Sequence, residues 1–419
     1  MTTPHLNHIG GEWRPAASGA VFEDRNPADE RDLIGTFPDS GAADVEAAVA
    51  AVSAAWPAWA AASPEVRADV LFKAADVMAA RADQIAAELT REEGKTIAEA
   101  RMEARRIAAN FRLYAGEALR LYGETYPTEA SQIAFSIRQP VGVVAVITPW
   151  NFPLSMAARK IAPALAAGNG VVFKPSEITP LMGQRLVEVL LEAGVPAPHL
   201  ALVQGRGPTV GQAITASRGI DAITFTGSYA VGRQIAAAVS TDTRVQLEMG
   251  GKNATGVLAD ADVEKAAAII VRGGFGLTGQ ACTGTSRVLV ARPLHDALLE
   301  KLVAAAAKIK VGPGTAEGVQ MGPVATRSQF DRILSYVGVA RDEGGRIATG
   351  GNSLREAGEA DLAHGYFLRP AVVAGLPAES RLLREEIFGP VVAMRAFDTL
   401  DEAIAIADET EYGLAVSLV

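Results

Sequence analysis

Val141-Gly142-Val143-Val144-Ala145-Val146-Ile147-Thr148-Pro149-Trp150-Asn151 is an apolar run that stops abruptly in a polar, proline-bearing turn. A run with no polar alternation reads as a strand buried on both faces, the habit of parallel sheets covered by helices. The same theme recurs downstream. A helical stretch over 155–167 leads to a second buried strand at 170–173, and a helix over 182–193 leads to Leu200-Ala201-Leu202-Val203. Residues 222–225 form another strand-like run that opens onto Thr226-Gly227-Ser228 and a further helix. Strands alternating with helices predict an α/β fold with a parallel sheet between helical layers, and ligands at the carboxyl ends of its strands.

Upstream, residues 42–121 read as long alanine-rich helices, with Val45, Val49, Val52 and Trp56 at helical spacing as core. Between them and the sheet, residues 122–140 alternate over Gln132-Ile133-Ala134-Phe135-Ser136-Ile137-Arg138, the pattern of an exposed strand pair. After Gly250-Gly251 the α/β pattern restarts, with a strand at 287–291, a helix over 294–309 and a glycine-rich loop over 311–322. A chain of 419 residues exceeds one hydrophobic core, so two or three domains are expected, with ligands in the cleft between them.

Composition narrows the function. Hydrophobic residues make up 49% and charged residues 21%, ordinary for a globular protein, and no run of eighteen apolar residues predicts a membrane span. Residues 1–13 lack the pattern of a signal peptide, so a cytoplasmic protein is expected. A net charge of -9 argues against nucleic acid as a partner. The single cysteine, Cys282, excludes an internal disulfide and any multi-cysteine metal site, and no metal is expected.

Five short segments carry candidate chemistry. Gly279-Gln280-Ala281-Cys282-Thr283 is a polar loop between apolar segments that could present a nucleophilic sulfur; a lone cysteine is otherwise a small buried hydrophobe. Leu247-Glu248-Met249-Gly250-Gly251-Lys252-Asn253 places a carboxylate at the end of an apolar strand, as a base or as a solvated surface acid. In Thr148-Pro149-Trp150-Asn151-Phe152-Pro153, two prolines stiffen the backbone around an amide suited to an oxyanion, or to a turn. Phe173-Lys174-Pro175-Ser176-Glu177 sets Lys174 and Glu177 where they could grip the vicinal hydroxyls of a ribose. Phe225-Thr226-Gly227-Ser228, with Val231 beyond, is a strand, turn and helix start suited to a pyrophosphate, though neither a G-x-G-x-x-G fingerprint nor a P-loop.

Together and in this order, and with Glu385-Glu386-Ile387-Phe388-Gly389-Pro390-Val391 after them, these segments resemble the motifs of the aldehyde dehydrogenase superfamily, from about Ile9 to the last residue. The resemblance implies a Rossmann-like cofactor domain over 1–121 and 141–250, an oligomerisation arm over 122–140 and a catalytic domain over 251–419. It implies oxidation of an aldehyde to a carboxylic acid through a thioester on Cys282, with the oxyanion held by Asn151 and the Cys282 backbone N–H. Glu248 then activates water, and Lys160 assists proton transfer. Lys174 and Glu177 bind the adenosine ribose, Ser228 with Gly227 the pyrophosphate, and Glu386 the nicotinamide ribose with Phe388 near the ring. Ile147, Thr148, Pro149, Trp150, Ser176, Gly207, Phe225, Thr226, Val231 and Met249 complete the implied cofactor site. Glu177 favours NAD over NADP, because a carboxylate repels a 2′-phosphate.

Family members continue several dozen residues past Tyr412-Gly413-Leu414-Ala415, so the end of the catalytic domain is expected to be missing. At full length the resemblance implies a homodimer or homotetramer. Arg159 matches a carboxylate-binding position of succinic-semialdehyde dehydrogenases, whereas the partner arginine of that pattern is replaced by Gly276. Residues 279–287 resemble enzymes of α-ketoglutaric semialdehyde. The substrate expectation is a carboxylated semialdehyde of one of these two kinds. The competing readings are a CoA-acylating dehydrogenase and an inactive binding or structural form.

Overall fold

The computed structural model describes residues 4–355 and 362–419. By contacts the chain divides into two compact units. One comprises the chain up to Asp24, Ile34–Glu88 and Arg101–Glu248; the other comprises Arg25–Leu33, Leu89–Ala100 and Met249–Val419. Residues 25–33 and 89–100, which the family resemblance assigns to the cofactor domain, thus cluster with the second unit.

The first unit is built on a seven-stranded sheet in the order Arg244–Glu248, Ala222–Thr226, Val143–Ile147, Gly170–Lys174, Leu200–Leu202, Asn7–Ile9, Glu12–Arg14. The first five strands are parallel. Val143–Ile147 and Gly170–Lys174 are buried at every position, which is why they carry no polar alternation. The parallel strands are those expected, and at one edge the sheet becomes mixed. Asn7–Ile9 adds antiparallel to Leu200–Leu202, and Glu12–Arg14 folds back on it. Gly10 and Gly11, with φ of 65° and 90°, make the two-residue loop, and so short a connection can only return the chain antiparallel.

The helix Ala42–Ala61 lies against this sheet closely enough that a Cβ on Gly170 would stand 2.4 Å from Val52 Cγ1 and 2.9 Å from Trp56 Cβ. Val45, Val49 and Val52 are buried as the spacing predicts. The deeply buried tryptophan of the stripe is Trp59, one turn beyond Trp56; its indole N–H donates to Leu165 O at 2.9 Å. The strand pair expected over 122–140 is Thr125–Tyr126 against Ala134–Phe135. Phe135 on this pair and Ile133 just before it stand 61% and 87% exposed.

The second unit holds a six-stranded sheet in the order Arg346–Thr349, Ala371–Ala374, Val391–Phe397, Arg287–Ala291, Ala254–Val257, Val416–Leu418. All pairs are parallel except Arg346–Thr349, which runs antiparallel at one edge. Alternation along Val391–Phe397 sorts its side chains. Val392 and Met394 join the core under the helices Val263–Phe275 and His295–Ala307, while Val391 and Ala393 join the core under Arg327–Asp342. No single helix among the described residues is long and apolar enough to cross a membrane.

Candidate functional site

In the first unit, the carboxyl ends of the parallel strands open into a cavity of about 790 Å³. Its walls include Ile147, Thr148, Pro149, Trp150, Lys174, Ser176, Glu177, Gly207, Phe225, Thr226, Gly227, Ser228 and Val231. Lys174, at the end of its strand, is buried, and its ammonium donates to Pro175 O at 2.9 Å and to Glu177 Oε2 at 3.3 Å. The other carboxylate oxygen of Glu177 accepts from the Gly207 N–H at 3.2 Å. Burial pulls the Lys174 ammonium below its ordinary range, and Glu177 opposes that. Burial pushes Glu177 up, but the charge of Lys174 and the backbone donors outweigh it and hold its carboxyl below the usual range. The lysine and the glutamate are therefore a fixed ion pair on the cavity wall.

At Gly227 a Cβ would stand 2.4 Å from the Phe225 ring, so the glycine leaves room for that ring to pack under the turn. Ser228 ends the turn and caps the helix Tyr229–Ala238, its hydroxyl accepting from Val231 N at 3.4 Å. One face of that helix, Val231, Gln234, Ile235 and Ala238, lines the cavity together with Gln212 and Thr215. Of these only Val231 was anticipated. The spacing 231, 234, 235, 238 was the available signal, since it marks one helical face. A wall with a buried cation beside a carboxylate, a glycine turn and a helix start suits a nucleotide's ribose and phosphates.

Asn151, 4% exposed, sits in the turn before the helix Pro153–Ala166. That helix has no side-chain cap of its own; instead the buried Glu103 carboxylate accepts from Leu154 N at 3.2 Å and Ser155 N at 2.9 Å. An acid at a helix N-terminus satisfies orphan N–H groups and is attracted by the positive end of the dipole, so Glu103 anchors the turn that holds Asn151.

Further along the same helix, Lys160 is buried and points its ammonium at Thr224 Oγ1, Gln246 Oε1 and Phe225 O, at 2.9, 3.1 and 3.4 Å. Burial lowers its pKa to about 8, with the charge of Glu248 opposing the fall. The amide N–H of Gln246 donates to Glu248 Oε1 at 2.9 Å, completing a chain from cation to carboxylate. Gln246 and Thr224 were not singled out in the sequence. They are register partners on adjacent parallel strands, which puts them on one face of the sheet. The strand Arg244–Glu248 is an edge strand alternating exposed and half-buried residues, and Glu248 is exposed at its end rather than at the tip of an apolar strand. The leucine and valine of the run suggested burial; the edge position leaves its other side in solvent.

Cys282 belongs to the second unit and is half-buried. Before it, Leu277, Thr278 and Gly279 all have left-handed φ, at 53°, 57° and 67°. Two non-glycine residues in that region cost about 1–3 kcal/mol each, so the loop is held by what it touches. Leu277 N donates to Glu99 Oε1 at 2.7 Å, Thr278 Oγ1 to Gly322 O at 3.1 Å, and Ala325 N to Gln280 Oε1 at 3.0 Å. Gly279 passes so near the backbone of Gly389 that a Cβ would lie 2.2 Å from its carbonyl oxygen. The loop carrying Glu386 and Phe388 thereby runs against the cysteine loop, and Phe388 itself has a φ of 60°. Glu386 lies over the two glycines, its Oε1 accepting from Gly251 N at 3.2 Å, and a Cβ on Gly250 would be 2.2 Å from that oxygen. Burial raises the Glu386 carboxyl, with the Gly251 N–H opposing. Met249 is half-buried at the start of this unit. Arg159 is exposed on the helix after Asn151. Among the described residues no cluster of three metal-ligating side chains occurs.

Residues 13–419 match the model of the aldehyde dehydrogenase family. The chain is 42% identical over 416 residues to the α-ketoglutaric semialdehyde dehydrogenase of Bacillus subtilis (strain 168), covering 99% of this chain and 85% of the relative. It is 40% identical over 406 residues to the 2,5-dioxopentanoate dehydrogenase of Saccharolobus solfataricus, covering 96% and 83%. The crystal structure of PnpE, a Pseudomonas protein, in complex with nicotinamide adenine dinucleotide superposes with a TM-score of 0.96 at 38% identity, over 99% of this chain and 85% of that one. Matched along nearly all its length in sequence and in fold, the chain belongs to the aldehyde dehydrogenase family and is an NAD(P)-dependent aldehyde dehydrogenase.

Proposed function

We propose that the protein oxidises a carboxylated semialdehyde, of the α-ketoglutaric or succinic type, to the free acid with NAD as the preferred cofactor. In this reading residues up to 121 and 141–250 carry the cofactor, residues 122–140 are the assembly arm, and 251–419 supply the nucleophile. Cys282 adds its sulfur to the aldehyde carbon, and the Asn151 amide with the Cys282 N–H stabilises the oxyanion. Bound NAD supplies the hydride acceptor. The thioester left on Cys282 is hydrolysed by a water that Glu248 deprotonates, with Lys160 answering the carboxylate's charge through Gln246.

The observation that carries the hydrolytic form is this Lys160–Gln246–Glu248 chain, which a CoA-acylating enzyme has no need of because CoA thiolate itself releases the acyl group. The Glu177 carboxylate, fixed by Lys174 and Gly207, supports NAD, since its charge opposes a 2′-phosphate. Arg159 supports a carboxylated substrate, being a guanidinium displayed one helical turn and more beyond Asn151, and the names of the two relatives agree. The exposed apolar arm around Ile133 and Phe135 supports a homodimer or homotetramer in which a second copy covers it.

The test is NADH formation across aliphatic, aromatic and carboxylated aldehydes, with and without CoA, beside Cys282→Ala and Arg159→Ala. The expected result is a free acid whose yield ignores CoA, no turnover in Cys282→Ala, and a KM for carboxylated aldehydes raised about tenfold or more in Arg159→Ala, the loss of one charged contact. A wild-type rate in Cys282→Ala, or acyl-CoA as product, overturns the reading.

A further inference from the structure

Asn253 comes directly after the Gly250-Gly251-Lys252 segment and is 6% exposed, with every polar group of its side chain engaged. Its Nδ2 donates to the carbonyl of Cys282 at 2.7 Å and to that of Gly284 at 3.0 Å, and its Oδ1 accepts from Ala415 N at 3.1 Å. Two carbonyls on one side and an N–H on the other leave the amide only one orientation. Its own carbonyl accepts from Ser286 N and Arg287 N at 3.2 and 3.0 Å. One residue thus touches both ends of the segment 282–287.

The consequence for Cys282 comes from peptide planarity. The plane preceding it is held by the turn bond from Gly284 N to Ala281 O, at 2.9 Å. The plane after it is held by the Asn253 bond to Cys282 O. With both planes pinned, φ and ψ of Cys282 are set and its sulfur keeps only χ1.

We propose that Asn253 is the positioning residue of the nucleophile, clamping the backbone of Cys282 so that sulfur and N–H hold one attack geometry; this rests on the reading of Cys282 as nucleophile. The carboxamide acts through the loop and does not touch the substrate. The clamp also ties the loop to the segment leading into the strand Val416–Leu418, through Ala415.

The test compares wild type, Asn253→Ala, Asn253→Ser and Cys282→Ala in the intact chain, with NAD binding and thermal melting as controls of folding. Two rates are measured on each: the aldehyde-driven burst of NADH, and alkylation by iodoacetamide, which in a chain with a single cysteine reports Cys282 alone. Alkylation needs an accessible sulfur but no aligned oxyanion donor. Asn253→Ala is expected to slow the burst about 100-fold, the scale of a misplaced reacting group, with alkylation and NAD affinity staying within about threefold. Asn253→Ser keeps one donor and should lose about tenfold, and it decides the matter if the alanine variant does not fold. A burst within about twofold of wild type in either folded variant overturns the proposal. So does a parallel fall of burst and alkylation, which would make Asn253 merely structural. A burst that persists in Cys282→Ala instead refutes the nucleophile reading beneath it.

Discussion

Lys160 is expected to cost the protein stability at neutral pH in exchange for a charge beside Glu248. It is 8% exposed, and burial lowers its pKa from 10.5 to about 8. In the unfolded chain the same amine keeps the higher value, so between about pH 8 and 10.5 the unfolded state binds more protons than the folded one. Stability from this group therefore rises with pH across that window and is flat outside it. At about 1.4 kcal/mol per pH unit the interval amounts to about 3 kcal/mol. Lys160→Met removes the titrating group and keeps most of the volume. Urea unfolding of both proteins from about pH 7 to 10.5 isolates the effect, because the other titrations cancel in the difference. The stability of Lys160→Met relative to wild type should be greatest below about pH 8 and shrink by about 3 kcal/mol by about pH 10.5. The same variant should hydrolyse its thioester more slowly. A difference that stays constant within about 0.5 kcal/mol over this range would refute a desolvated ammonium.

Gly279→Ala should destabilise by more than about 2 kcal/mol and abolish the NADH burst, because the site has a φ of 67° and a Cβ would strike Gly389 O; thermal melting and stopped-flow absorbance check both. Glu177→Gln takes the negative charge from the wall beside Lys174, and the ratio of kcat/KM for NADP to that for NAD should rise about tenfold, the effect of about 1.4 kcal/mol of removed repulsion. Gln246→Met breaks the bridge between Lys160 and Glu248, and should slow deacylation about tenfold while the burst keeps its wild-type rate; loss of the burst instead would place Gln246 in the acylation step.

The local features of this protein are legible in its residues alone. Continuous apolar runs such as 143–147 and 170–174 declare strands buried on both faces, because nothing polar could be tolerated there. The segments around Asn151, Lys174, Gly227, Glu248 and Cys282 each announce a turn or strand end whose residue types suit a particular chemistry, and their order along the chain identifies the family. Pairings across long separations were not legible. The antiparallel addition of Asn7–Ile9 to Leu200–Leu202, the depth of Trp59 rather than Trp56, and the edge position of the strand Arg244–Glu248 each depend on which neighbour the fold supplies. The polar partners are hidden for the same reason. Thr224 and Gln246 read as ordinary strand residues, and Asn253 as a loop asparagine, until the register of two strands sets the first pair around Lys160 and the return of the chain brings residues 282–284 and 415 to the third. A side chain's type is written in the sequence; its hydrogen-bond partners come from segments many residues away, and only tertiary packing chooses them.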